Sequence, residues 1–142
     1  MKISYRHIVN FIDQNPSIEE ISDKLFQLGH EHEIYNDIID IEITPNRGDC
    51  LSLQGILREL SVFYNINFNI ELYDKDLNFF DFPFKNLSKH ICPKISFLKV
   101  VIDKKIKPYS GMLKSYFDDM ENNKNNFFTD ISNYVSYELG QP

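Results

Sequence analysis

Residues 40–60 read DIEITPNRGDCLSLQGILREL, which is a strand, a rigid polar turn and a buried helix in direct succession. Ile39, Ile41 and Ile43 alternate with Asp40 and Glu42, the period-2 pattern of a strand with one face on a core, and this strand is read as Ile38 to Thr44. Pro45 pushes Thr44 toward extended geometry and cannot donate to a ladder, so Pro45, Asn46, Arg47 and Gly48 form a turn. Asp49 is placed to cap a helix whose apolar positions, Leu53, Ile56, Leu57, Leu60 and Tyr64, follow helical spacing. Gly55 sits inside that helix at a cost of about 1 kcal/mol relative to alanine, which points to a neighbouring backbone passing close by. On periodicity alone the segment is a packed scaffold without chemistry.

Upstream, Tyr5, Ile8, Val9 and Ile12 form the apolar face of a first helix, with Ser4 as its candidate cap. Pro16 separates it from a second helix, where Ser17 and Glu20 have the spacing of a capping box and Ile18, Ile21, Leu25 and Leu28 share a face. Gly29 is placed to end that helix. Residues 31–36 look extended and lead through Asn36 and Asp37 into the strand, a short hairpin. Two helices, a hairpin and a third helix suggest a winged-helix-like module.

Downstream, residues 67–89 are aromatic without a clean period (Phe79, Phe80, Phe82, Phe84), which fits a packed connector better than a free linker. Ile95 to Ile102 reads as a buried strand. Leu113, Tyr116, Phe117 and Met120 mark a fourth helix, closed by the polar run from Glu121 to Asn126. Ile131, Tyr134 and Val135 mark a fifth, with Gly140 as its terminator.

Composition narrows the function classes. With 15 Lys and Arg against 21 Asp and Glu, the net charge is -6, whereas a free-standing nucleic-acid binder normally presents a basic stripe to phosphates. Two cysteines, Cys50 and Cys92, make neither a disulfide framework nor a metal-ligand spacing, and they fit a reducing, cytoplasmic setting. No glycine-rich loop followed by Lys-Ser or Lys-Thr is present, nor a dinucleotide fingerprint. His30 and His32 alternate as strand residues do, but two ligands without a third assign no metal. His7 and His90 read as surface or locally bonded histidines. Arg47 and Arg58 could meet phosphate, although ion pairs with Asp49 or Glu59 are the simpler outcome.

Several islands of the sequence resemble one family. TPNRGDCLSLQGILREL is similar to the segment TPNRxDCLSxxGxARE of the beta chain of bacterial phenylalanine-tRNA ligase. The opening MKISYRHIVNFID resembles the start of that chain, Cys92-Pro93-Lys94 resembles the CPR that opens its editing domain, and FFTDISNYVSYELGQP (127–142) resembles its VDxTNYVxxExGQP motif. The islands occur in the family's order across essentially the whole chain.

The resemblance implies an α+β fold: a winged-helix-like N-terminal domain over residues 1–74 and the incomplete beginning of a mixed α/β tRNA-editing domain over 75–142. It implies an N-terminal fragment, since Pro142 falls inside a motif. It also implies loss of the oligonucleotide-binding barrel of roughly a hundred residues usually inserted after the second helix, because the ten residues from Gly29 to Ile38 cannot hold one. A pocket built for phenylalanine rejects an added hydroxyl by only about a hundredfold, so a second site that hydrolyses mischarged tyrosyl-tRNA is useful. Ser132, Asn133 and Pro142 occupy positions that border that pocket in the family; otherwise Ser132 and Asn133 are ordinary polar residues of a helix surface. Pro45, Asn46, Arg47, Gly48 and Asp49 are the structural turn and cap. The whole enzyme uses ATP and Mg2+ and assembles as an alpha2-beta2 tetramer that acts on tRNA; the fragment itself binds neither cofactor and is not catalytic. The alternative is a stand-alone winged-helix-type nucleic-acid-binding or interaction module.

Overall fold

The computed structural model of the chain describes residues 1–68, 79–102 and 105–141. The α+β class holds there, as five helices and one three-stranded antiparallel sheet. In chain order these are β1 (Lys2–Ser4), α1 (Tyr5–Val9), α2 (Ile18–Gln27), β2 (His32–Tyr35), β3 (Ile38–Ile41), α3 (Leu53–Leu60), α4 (Gly111–Asp119) and α5 (Phe127–Leu139). Two compact units are distinguished: Met1–Asn69 with Lys107–Pro142, and Ile70–Ile106. The boundary expected between residues 74 and 75 lies outside the described residues. Among the described residues no helix is long and apolar enough to cross a membrane.

In the first unit the sheet order is β1-β3-β2, with Ile3 opposite Ile39 and Ile34 opposite Ile39 on the other side. Ile3, Ile39 and Ile41 turn their buried face onto Ile8, Ile21, Leu25 and the inner face of α3, Leu53, Ile56, Leu57 and Leu60, all without solvent exposure. The hairpin forms as expected, with Asn36 in the left-handed region at φ 54°. The central strand is shorter than its alternation predicts, ending at Ile41 rather than Thr44. Ile41 N–H donates to the Met1 carbonyl at 2.8 Å and Glu42 N–H to the Glu31 carbonyl at 2.8 Å, after which both neighbouring strands have run out of partners.

Local signals in α2 hold in detail. Glu20 N–H donates to Ser17 Oγ at 3.2 Å, Ser17 N–H donates to Glu20 Oε2 at 2.7 Å, and Gly29 leaves the helix at φ 83°. Two expected caps are corrected. Ser4 makes no side-chain cap for α1; its hydroxyl lies 3.5 Å from Asp119 Oδ2. Asp49 does not cap α3, because Gly48–Cys50 form a separate 3-10 turn and the helix starts only at Leu53. The cap is Ser52, whose Oγ accepts from Gly55 N–H at 2.9 Å. Ser52→Ala is therefore expected to lower stability by about 1 kcal/mol, read as a lower urea midpoint of the chain; an unchanged midpoint would remove Ser52 from the capping role.

Helices α4 and α5 belong to the same unit through buried polar and aromatic contacts. His7 on α1 is fully buried, a correction to its reading as a surface or local histidine, and its ring bonds Tyr137 on α5 at 2.8 Å and Ser115 on α4. Asp130, 1% exposed, accepts from Tyr109 Oη at 2.6 Å and from Asn125 N–H at 2.9 Å. Beside these contacts the Tyr116 ring meets Phe117 edge to face and Tyr137 at a tilt. Glu121, at φ 52°, closes α4, and Gly140, at φ 71°, closes α5.

The second unit carries no helix or strand among its described residues. Asn86 organises a turn, accepting from Ser88 N–H at 2.9 Å and donating to the Cys92 carbonyl at 2.7 Å. The rings of Phe82 and Phe84 lie against Phe97 with centroids 4.9 and 4.8 Å away, but these three, Phe79 and Phe80 all remain exposed, so the described part of this aromatic stretch is not the packed connector its composition predicts. Ile95 to Ile102 is not the buried strand its pattern predicts: Leu98, Val100 and Val101 are each more than 70% exposed. A strand needs a hydrogen-bonded neighbour, and the described residues of this unit supply none.

Candidate functional site

The polar turn is fixed from within. Arg47 lays its guanidinium along Asp49, Nε to Oδ1 at 3.1 Å and Nη2 to Oδ2 at 3.2 Å, and the same Nη2 reaches Glu59 Oε1 at 2.8 Å and Cys50 Sγ at 2.9 Å. Arg58, six residues after the cap on α3, also bonds Asp49 and lies 3.6 Å from Glu59. The adjacent Arg47 holds the Asp49 carboxyl down at about 2, and the two carboxylates raise Arg47 above its ordinary range. Exposed ion pairs contribute little stability; the bidentate fork instead sets the angle at which the chain enters α3. Both arginines thus take the ion-pair role rather than standing open to phosphate.

This turn presses directly on the helix it precedes. A Cβ at Gly55 would lie 2.2 Å from the Asp49 carbonyl oxygen and 3.0 Å from Cys50 Cα, so the close backbone approach expected from a mid-helix glycine is present. The opposite side of the cap meets the end of α5, where a Cβ on Gly140 would come 3.2 Å from Ser52 Cβ. A cleft of about 430 Å³ opens there, bounded by Asp49, Arg58, Phe68, Gly140 and Gln141. Two distant sequence islands, the turn at 45–52 and the helix Phe127–Leu139 with its cap Gly140, therefore meet as cap against cap.

Among the residues singled out in the sequence, Pro45, Asn46, Gly48 and Asp49 are exposed and Arg47 is half-buried. Ser132 and Asn133 are exposed on α5, about two turns or ~10 Å before Gly140 along the helix. Pro142 lies outside the described residues.

His30 and His32 do not converge. His32 opens β2 and has both ring nitrogens satisfied, by Ser22 Oγ at 2.7 Å and the His30 carbonyl at 2.9 Å. His30 precedes the strand, tied by its N–H to the Leu25 carbonyl at 2.9 Å, and its imidazole turns inward, 5% exposed. There it joins Cys50 and Glu59, one ligand atom of each lying within 4.8 Å of the others. Burial lowers the His30 imidazole and raises the Cys50 thiol, each toward its neutral form. Sequence reasoning missed this cluster, because three residues from a helix stop, a turn and a helix interior share no spacing that would announce it.

The chain was compared with known proteins. No family profile matches it, and no solved structure does. Among curated proteins it is 37% identical over 113 residues to the phenylalanine-tRNA ligase beta subunit of Psychrobacter arcticus and 35% identical over 116 residues to that of Blochmanniella floridana. These alignments cover 75% and 76% of this chain and 14% of each relative. The beta subunit of Rhodopirellula baltica is 28% identical along the whole chain, which corresponds to 22% of that relative. The chain thus spans less than a quarter of the length of these relatives, and over most of its own length it is distantly similar to a segment of phenylalanine-tRNA ligase beta subunits.

Proposed function

We propose that this chain is the N-terminal part of a phenylalanine-tRNA ligase beta subunit, serving as scaffold of that subunit rather than as a catalytic piece. The observation that carries the reading is the similarity to beta subunits across three quarters or more of the chain. In this reading the winged-helix-like part, residues 1–74, supports association with the alpha subunit in an alpha2-beta2 tetramer, and residues 75–142 begin the domain that hydrolyses mischarged tyrosyl-tRNA. The self-contained ion pairs of Arg47, Asp49 and Glu59 favour a structural role for the turn. Ser132 and Asn133, exposed on α5, are available to border an editing pocket completed by residues elsewhere.

ATP and Mg2+ belong to the alpha subunit in this reading. The sequence supports that assignment in having no glycine-rich phosphate loop.

Co-expression of the gene's complete product with the alpha subunit tests the proposal. A stoichiometric complex that phenylalanylates tRNA is expected. A product that neither co-purifies with alpha nor supports phenylalanylation would remove it, and salt-dependent RNA or DNA binding by the 142-residue chain would favour a stand-alone module instead.

A further inference from the structure

Three donors of different chemistry, His30 and Cys50 buried and Glu59 half-buried, meet behind the polar turn. His30 is 5% exposed, and its Nε2 is buried with no hydrogen-bond partner among the described residues. A buried polar atom left unmatched costs about 1–3 kcal/mol, so a fold that retains one raises the question of what answers it. Cys50 Sγ and a Glu59 carboxylate oxygen lie within 4.8 Å of the histidine's ligand atom and of each other. In a tetrahedral zinc site with bonds of about 2.0–2.3 Å, ligand atoms stand roughly 3.3–3.8 Å apart. Closing the present triangle to that size takes side-chain adjustments of about an ångström. The N, S and O donor set suits a borderline-soft ion, not the all-oxygen preference of Mg2+ or Ca2+.

A cation already stands at this place, the Arg47 guanidinium, which touches both Cys50 Sγ and Glu59 Oε1. It is also about one-third exposed and holds Asp49 through two further bonds, so it can leave the cluster without losing its other partner. Glu59, 20% exposed, offers an ion a first oxygen at the surface.

We propose that His30, Cys50 and Glu59 form a binding site for a single Zn2+-like divalent transition-metal ion, which enters by displacing the Arg47 guanidinium. Neutral imidazole, thiolate and carboxylate are the three protein ligands, a fourth position stays with water, and the proton of the Cys50 thiol leaves to solvent. The two negative ligands balance the ion's charge, whereas the guanidinium now meets one carboxylate here, that of Glu59, and a neutral thiol.

The test is a Co2+ titration of the whole chain carrying Cys92→Ser, so that Cys50 is the sole thiol. One equivalent of Co2+ should give a thiolate-to-cobalt charge-transfer band that Zn2+ displaces. His30→Gln and Glu59→Gln, each checked for folding by circular dichroism, should weaken binding at least about 100-fold, given that loss of mere supporting groups costs 10–100-fold. Arg47→Gln should strengthen it about tenfold by removing the competing charge. Absence of the band would overturn the proposal, as would a band unchanged by His30→Gln. A band seen only with Arg47→Gln would overturn it too, since the guanidinium would then be the native cation of the site.

Discussion

Gly55→Ala is expected to destabilise the chain by about 3 kcal/mol, although alanine is the better helix former by about 1 kcal/mol. The sign follows from what the new methyl would meet. A Cβ 2.2 Å from the Asp49 carbonyl oxygen and 3.0 Å from Cys50 Cα collides with backbone, which cannot rotate aside as a side chain can. Relief requires the 3-10 turn to lift off α3, and the turn is held by the Arg47–Asp49 fork and by Cys50, which has no solvent exposure. Lifting it would also disturb the buried face of Leu53, Ile56 and Leu57 beside it. Against a total stability of about 5–15 kcal/mol for an ordinary domain, a loss of this size moves the urea midpoint far outside error. A midpoint equal to that of the parent chain would mean that the close approach is absent in solution.

How far this architecture is legible in the sequence depends on the range of the interaction. Ser17 with Glu20, Gly29, Asn36 and Gly140 act within a few residues of themselves, and each does in the structure what its position suggests. Gly55 is legible for another reason: a residue that is costly where it stands declares a constraint even when the constraining partner is unnamed. The capping error at Asp49 shows the limit. Asp49 and Ser52 are both good caps by type, and the choice between them falls to Arg47 and Arg58, which draw the aspartate into ion pairs and leave the serine to the helix. Ile95 to Ile102 has the apolar character of a strand, but pairing is a property of two segments and the pattern describes one. His7 and His30 fail for the same reason, their surroundings being assembled from residues far along the chain. Of the candidate site, the Arg47 and Arg58 ion pairs are legible because their partners lie two to twelve residues away; the His30, Cys50 and Glu59 cluster is not.

The second large effect is expected at His7. His7→Ala should cost about 3 kcal/mol, combining a cavity under α1 with two hydroxyls, Tyr137 and Ser115, left without their partner. The loss should also depend on pH. Burial is the larger influence on His7 and lowers it from its ordinary value of 6.5, outweighing the nearby Asp119, which raises it. The unfolded chain therefore takes up a proton at His7 more readily than the folded one. Stability from this group is fully present above about pH 6.5, declines as the pH falls through that value, and levels off once the folded histidine is itself protonated. Each such group contributes a slope of at most ~1.4 kcal/mol per pH unit in that window. His30 is lowered by burial in the same direction, so the parent chain should show the combined slope of two histidines and His7→Ala the slope of one. Urea melts of both proteins between pH 8 and 5 read this directly, as parallel lines above the window and converging lines within it. Parallel behaviour throughout would show that His7 titrates alike in the folded and unfolded chains, and that the link it makes between α1, α4 and α5 is open to water.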